Sequence, residues 1–190
     1  MSDLAKILKA SDFAAKKHTR QTRKGANAEP YINHPLEVAK LLVEVGEVND
    51  TDVIAAALLH DTIEDTDTSE KEVTEVFGEK ICAFVLEVTD DKSLPKAERK
   101  QKQIEHAPHL SHGAKQIKLA DKISNIRDIV GNPPENWSQL RKLEYVEWGV
   151  KVVSGLRGAN SGLEKMFDDL VKHAHASITP GEEHSGSDPG

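Results

Sequence analysis

The sequence predicts an all-α fold, a helical bundle of about eight to ten helices, and three observations carry that expectation. Apolar residues recur at helical spacing along most of the chain, while no stretch alternates with a convincing period of two. No internal repeat appears. A run of seven apolar residues at positions 53–59 ends abruptly in His60, Asp61, Glu64 and Asp65. A helix apolar on every side is a buried one, and ionisable groups delivered at its end need partners, since an unpaired buried charge is costly.

The elements follow in order. Residues 2–18 read as a helix with Ser2 as N-cap and Leu4, Ile7, Leu8, Ala14, Ala15 and His18 near one face. His18 is expected to be structural. Residues 19–29 hold Arg20, Arg23, Lys24 and Gly25 among hardly any apolar side chains. This basic loop is either solvated or anion-binding, and Gly25 permits close backbone approach. In Pro30-Tyr31-Ile32-Asn33-His34-Pro35 the second proline places His34 at or beside the N-cap of a helix reaching about residue 45. Leu36, Ala39, Leu42 and Val43 give that helix its stripe. A turn over 46–50 leads to the buried helix, capped by Thr51 or Asp52. On one continuous helix Glu64 and Asp65 would stack one turn beyond His60 and Asp61.

Ser69-x-x-Glu72 has the form of a capping box and starts a short helix ending near Gly78. An apolar helix over 81–88 runs into Thr89-Asp90-Asp91-Lys92. Pro95 starts a helix over 96–106, whose Lys96, Glu98, Arg99, Lys100 and Lys102 read as a solvated face. Residues 114–130 form the second informative helix. Ile117, Ala120, Ile123 and Ile126 are apolar, while Asp121, Asn125 and Asp128 make a polar face with Lys118 and Lys122 nearby. Asn132-Pro133-Pro134 stops it. A helix over 138–156 follows, with Leu140, Leu143, Val146, Val150, Val153 and Leu156 inward. Tyr145 and Trp148 are packing residues there, Tyr145 being placed to reach a ligand. Gly155 and Gly158 break the chain before a last helix built on Leu163, Met166, Phe167, Leu170 and Val171. One domain over 1–175 and a disordered tail over 176–190 are expected, because the tail's Ser, Gly, Pro, Glu and Asp bury too little apolar area to order.

A chain of 190 residues suits a single domain. Its net charge of −7 argues against nucleic-acid or anionic-membrane binding through the overall field, and leaves room for an anionic substrate held locally. A single cysteine, Cys82, allows no internal disulfide and fits a reducing compartment. With no secretory leader and no apolar run of membrane-spanning length, a soluble cytoplasmic protein is expected. The oligomeric state is open, a homodimer included.

His34, His60, Asp61 and Asp121 form a mixed nitrogen and oxygen donor set. Such a set suits Mn²⁺, Fe²⁺ or Zn²⁺ better than Ca²⁺ or Mg²⁺. A metal held there would activate water and neutralise phosphate charge, with Glu64 and Asp65 placed to orient the water or exchange its proton. The pattern points to phosphoester hydrolysis.

The order His34, His60-Asp61, Asp121 resembles the H…HD…D signature of the HD-domain metal-dependent phosphohydrolases. Four longer strings sharpen the likeness: Tyr31-Ile32-Asn33-His34-Pro35, Leu58-Leu59-His60-Asp61-Thr62-Ile63-Glu64-Asp65-Thr66, Val88-Thr89-Asp90-Asp91-Lys92 and Lys118-Leu119-Ala120-Asp121-Lys122. Together they resemble the hydrolase domain of the RelA/SpoT homologues, and among these the small single-domain SpoT-like hydrolases of the Mesh type, over roughly residues 1–175. The resemblance implies Mn²⁺-dependent removal of the 3′-pyrophosphate from guanosine tetra- and pentaphosphate, (p)ppGpp. It implies metal ligands His34, His60, Asp61 and Asp121, and water activation by Glu64 and Asp65. It also implies nucleotide contacts from Arg23, Lys24, Tyr31, Asn125 and Tyr145. No nucleotide-synthetase region follows within the 190 residues, so degradation alone is expected. Two alternatives stand beside this reading. One is a related phosphohydrolase such as an NADPH 2′-phosphatase; the other is a non-catalytic nucleotide sensor, which would have no need of the Glu64-Asp65 pair.

Overall fold

Two helices buried on every side organise the chain. The computed structural model describes residues 2–178, and among them are ten α-helices, one 3-10 turn and an isolated bridge between Thr22 and Pro30, with no sheet. The first buried helix is α3 (Thr51–Leu59), in which residues 53–59 are all buried, as the apolar run predicts. The second is α8 (His112–Gly131), with Ala114, Ile117, Leu119, Ala120, Ile123 and Ile126 wholly inaccessible. α8 also buries Gln116, Lys118, Asp121, Lys122 and Ser124. Buried polar groups at that density demand mutual partners, so they mark where the chemistry is built.

The other helices clothe this pair. α1 (Asp3–Lys17), whose first turn is capped by the Ser2 hydroxyl, packs on α3 through the small residues Ala10 and Ala14. Those alanines let the two backbones approach closely, which rotates Leu4 and Leu8 out to 70% and 60% exposure, against the expected stripe. α2 (Asn33–Glu44) packs on both α3 and α8. Two neighbours require a wide buried face of His34, Pro35, Val38, Ala39, Leu41 and Leu42, so Leu36 and Val43 turn outward. Pro35 is the third residue of α2 rather than the first, and His34 therefore lies inside the first turn instead of at the cap. The cap of α3 is Asp50, whose carboxylate accepts the Asp52 N–H at 2.9 Å, not Thr51 or Asp52.

A single helical turn, α4 (Thr62–Asp65), follows α3, and α5 (Glu70–Phe77) starts under the Ser69 hydroxyl. The capping box is only half formed, since the Glu72 carboxylate reaches Lys17 at 3.0 Å instead of Ser69. Gly78, at φ +91°, joins α5 to α6 (Glu79–Val88), a left-handed conformation that favours glycine. α7 (Lys96–His106) has no fully buried residue and leads through the 3-10 turn Ala107–His109 into α8. α9 (Gln139–Ser154) buries Val146, Val152 and Val153, but Leu140 is 66% exposed, contrary to expectation. It sits in the first turn, beyond the reach of the core. α10 (Ser161–Ser177) packs on α8 through Leu163 and Phe167 and runs two residues past the expected domain end. Most of the expected tail, 179–190, lies outside the described residues. Among the described residues, no helix is long and apolar enough to cross a membrane.

Candidate metal and active site

α3 stops at Leu59 because side chains take the carbonyls that a further turn would have used. The Thr62 hydroxyl donates to the Leu59 carbonyl and His60 Nδ1 donates to the Ala57 carbonyl, both at 2.7 Å. A carbonyl only accepts, so Nδ1 carries a proton in either charge state of this imidazole. Its Nε2 is buried, has no hydrogen-bond partner, and stands 3.0 Å from Asp61 Oδ2 and 3.7 Å from Asp121 Oδ1. The first turn of α2 brings His34 Nε2 to 3.1 Å from Asp121 Oδ1 and 3.6 Å from Asp61 Oδ2. One ligand atom each from His34, His60 and Asp121 lies within 4.8 Å of the others. Two imidazole nitrogens and two carboxylates converging in a buried pocket make a donor set that fits a divalent first-row metal.

The electrostatics agree with that fit. Burial opposes charge on His60, but Asp61 and Asp121 prevail and push its pKa up to about 10. Burial also opposes ionisation of Asp61 and Asp121, yet His60 holds the first, and Lys122 the second, below the usual carboxylate range. Lys122 lies 3.1 Å from Asp121 Oδ2 and 4.4 Å above the Trp148 ring, so its buried charge has both an anion and an aromatic face. Asn125 Nδ2 donates to Asp121 Oδ1 at 2.7 Å and fixes that carboxylate.

The four ionisable groups at the end of the apolar run do not lie on one helix, because His60 and Asp61 form the break between α3 and α4. Asp65 still stands one turn beyond Asp61, its N–H donating to the Asp61 carbonyl at 2.8 Å. The Tyr31 hydroxyl donates to Asp61 Oδ2 at 2.6 Å, with Asp65 Oδ2 3.2 Å away, and Lys92 pairs with Asp65. Burial first, then the Asp61 carboxylate, raises the Tyr31 pKa and keeps that hydroxyl protonated. Glu64 Oε2 accepts the Asp90 N–H at 3.0 Å, and Arg99 lies 3.8 Å from its other oxygen. Burial pushes the Glu64 pKa up to about 7, the range in which a carboxyl group exchanges protons at neutral pH.

These groups line an inner compartment of about 230 Å³. It shares Lys24, Tyr31, Asp65, Asn125 and Tyr145 with a larger outer compartment of about 540 Å³, enough for a nucleotide-sized ligand. Arg23 points into the outer compartment but is already engaged: its Nε donates to Asp128 at 2.7 Å and its Nη2 to Asn125 Oδ1 at 3.0 Å. Gly25 makes its close approach to protein: a Cβ there would stand 2.3 Å from the Asn132 carbonyl, so the basic loop is fastened to the end of α8.

The HD-domain family profile matches residues 10–144. The chain belongs to the HD-domain family. Within it, the chain is 53% identical over 169 residues to the guanosine-3′,5′-bis(diphosphate) 3′-pyrophosphohydrolase MESH1 of Danio rerio, covering 89% of this chain and 94% of that one. It is 51% identical over 177 residues to the MESH1 of Homo sapiens, covering 93% and 99%. A solved structure described as a metazoan ortholog of SpoT that hydrolyses ppGpp superposes with a TM-score of 0.87 at 46% identity, covering 90% and 96%.

In this HD-domain chain all eleven site residues expected from the sequence line one compartment or both. The sequence reading missed others. Lys92, Lys96 and Trp137 line the outer compartment, and Arg99 faces Glu64. α7 was expected to be a solvated surface, yet the Trp148 indole N–H donates to the Lys100 carbonyl at 3.1 Å and holds this helix at the cleft. The spacing of Lys96, Arg99, Lys100 and Gln103 marks one helical face, a signal that was available. Its partner, Trp148, comes from a distant helix.

Proposed function

We propose that the chain is a metal-dependent hydrolase that removes the 3′-pyrophosphate of guanosine tetra- and pentaphosphate, yielding GDP or GTP and pyrophosphate. The observation that carries this reading is the opening of an imidazole and carboxylate cluster into a cleft whose outer part bears Arg23, Lys24, Lys92 and Lys96. That concentrates positive charge beside a metal site in a protein of net charge −7, as a polyphosphate substrate requires. The names and coverage of the MESH1 relatives support the substrate.

His34, His60, Asp61 and Asp121 would hold the metal, Mn²⁺ by preference with Fe²⁺ or Zn²⁺ as alternatives. Bound there, it supplies Lewis acidity, lowering the pKa of a water and neutralising phosphate charge. Glu64 takes a proton from the water as its oxygen bonds to the phosphorus carried on O3′. The bond from that phosphorus to O3′ breaks, and O3′ leaves as a hydroxyl on receiving the proton that Glu64 took from the water. Asp65, fixed by Tyr31 and Lys92, keeps the water on line. Lys24 neutralises substrate phosphates, and Asn125 and Tyr145 border the nucleoside. Arg23, whose guanidinium is shared with Asp128, shapes this wall as well as charging it. A cytoplasmic setting fits the buried free thiol of Cys82.

A product assay tests this. Purified protein is incubated with ppGpp and Mn²⁺, with and without EDTA, and products are separated by ion-exchange chromatography. EDTA-sensitive release of GDP plus pyrophosphate is the expected result. Orthophosphate from NADPH with ppGpp untouched would move the substrate to a 2′-phosphorylated dinucleotide. No turnover with Mn²⁺, Fe²⁺ or Zn²⁺ would refute hydrolysis and favour a nucleotide sensor.

A further inference from the structure

We infer that Glu37, outside the cleft, decides which nitrogen of His34 is free to bind a cation, acting through Ser124. This rests on the metal site proposed above. Glu37 follows His34 by three positions on α2, and Arg127 follows Ser124 by three on α8, so the two pairs meet where these helices pack. His34 Nδ1 lies 2.9 Å from Ser124 Oγ, and Ser124 Oγ lies 2.6 Å from Glu37 Oε2. The other Glu37 oxygen accepts a bond from the Arg127 guanidinium at 3.0 Å.

A hydroxyl has one proton to give, and an ionised carboxylate only accepts. Ser124 therefore donates to Glu37, and its oxygen accepts from His34 Nδ1–H. The neutral imidazole is left with its lone pair on Nε2, facing the carboxylate oxygens of Asp121 at 3.1 Å and Asp61 at 3.6 Å. A cation entering there would be met by the lone pair and by both carboxylates. The opposite wiring, with Ser124 donating to Nδ1, would set two bare oxygens 2.6 Å apart and turn the His34 proton toward Asp121, closing the lone pair. His60 is wired to the same end, because its Nδ1 is bonded to a carbonyl. For His60 the acceptor is backbone and immune to substitution. For His34 it is the buried Ser124 hydroxyl, whose own proton is committed by Glu37, a side chain 32% exposed at the edge of the α2–α8 contact. Ligand histidines are commonly fixed in this way through the ring nitrogen away from the metal, and Glu37 is a positioning residue in that sense.

The test uses Glu37→Gln and Ser124→Ala in the full chain. In Glu37→Gln the amide oxygen stays with the Arg127 guanidinium, which turns the amide NH₂ toward Ser124. Ser124 then accepts from the amide and donates to His34 Nδ1. ¹⁵N spectra of the metal-free protein, with His34 assigned by its loss in His34→Gln, are expected to show Nδ1–H in the wild type and Nε2–H in Glu37→Gln. Affinity for Mn²⁺, measured by chelator competition, is expected to fall about ten- to hundredfold in both variants. Circular dichroism reports whether each is folded, and Ser124→Ala decides the matter if the glutamine variant is not. A His34 that keeps Nδ1–H in Glu37→Gln, with Mn²⁺ affinity unchanged in both variants, overturns the inference. A wild type that takes up no Mn²⁺ overturns the metal site itself, and the tautomers of the metal-free protein then still decide the role of Glu37.

Discussion

The inner and outer compartments of the cleft are built on opposite principles. In the inner one the polar groups are buried and engaged before any ligand arrives. His60 is bonded to a carbonyl, Asp121 to Asn125 and Lys122, Asp61 to Tyr31, and Glu64 to the Asp90 N–H. In the outer one two of the four cations have no anion of their own: among the described residues Arg23 and Lys92 are paired but neither Lys24 nor Lys96 is, and Lys96 is pushed below its usual pKa by burial and by Arg141 and Lys24. Reacting atoms need fixed geometry, because misplacement by about 1 Å costs on the order of 100-fold in rate. A polyanion needs mainly unspent positive charge. The inner site is therefore rigid and internally neutralised, whereas the outer cleft is incomplete without its ligand.

Inner-site changes are expected to have the largest effects, acting on rate. Asp61→Asn removes a carboxylate that faces both imidazoles and accepts from Tyr31; a loss of hydrolysis on the order of 10³-fold is expected, with nucleotide binding retained in equilibrium dialysis. Activity persisting in that variant would remove Asp61 from the ligand set. Glu64→Gln is next, at about 10²- to 10³-fold in kcat. With its pKa near 7, Glu64 is a competent base only above that point, so wild-type kcat/KM is expected to climb with pH through about 7 and then level off. The climb should vanish in the glutamine variant; if it survived, another group would be the base. Linkage gives the same residue a stability signature. A carboxyl raised on folding contributes stability that is present below its unfolded value and lost as pH rises through about 7. Glu64→Gln should therefore raise Tm more at pH 8 than at pH 5.

The contrast also explains what could be read from the sequence. The all-α fold and the buried α3 were legible because periodicity and an unbroken apolar run are local signals. The cluster of imidazoles and carboxylates was legible because His60 and Asp61 are adjacent and Asp121 is the one carboxylate amid Ile117, Ala120 and Ile123 on a buried helix. What failed was rotational setting. Leu4, Leu36 and Leu140 are apolar and face outward, since partner packing and not hydrophobicity alone decides which stripe is buried. The outer cleft failed for a related reason. Lys96 on α7, Trp137 before α9 and the loop of Lys24 belong together only in space. The wiring of Glu37 to Ser124 likewise joins residues 87 positions apart.

The junction between the regions is tested by protons. His60, raised to about 10, is protonated at neutral pH when no cation is bound, and cation uptake must displace that proton. One proton released per site makes affinity for Mn²⁺ rise about tenfold per pH unit between pH 6 and 9. Chelator-competition titrations across that range, with proton release followed in weak buffer, check it. A pH-independent affinity would mean that His60 is neutral in the metal-free protein.

The smallest effect is expected from Lys96→Gln, and it separates the regions most cleanly. Lys96 lines only the outer compartment and is crowded by Lys24 and Arg141, so an incoming phosphate would relieve repulsion as well as gain a charge-assisted bond. Losing one such bond, worth about 1.5 kcal/mol, should raise KM for ppGpp about tenfold. Because Lys96 borders none of the metal-facing groups, kcat should stay within about twofold and Mn²⁺ affinity should not change. The dependence of KM on salt should weaken as well, since one cation fewer meets the polyanion. If kcat fell while KM stayed constant, Lys96 would be acting in the transition state, and the division between a preorganised inner site and a charge-collecting outer cleft would have to be redrawn through α7.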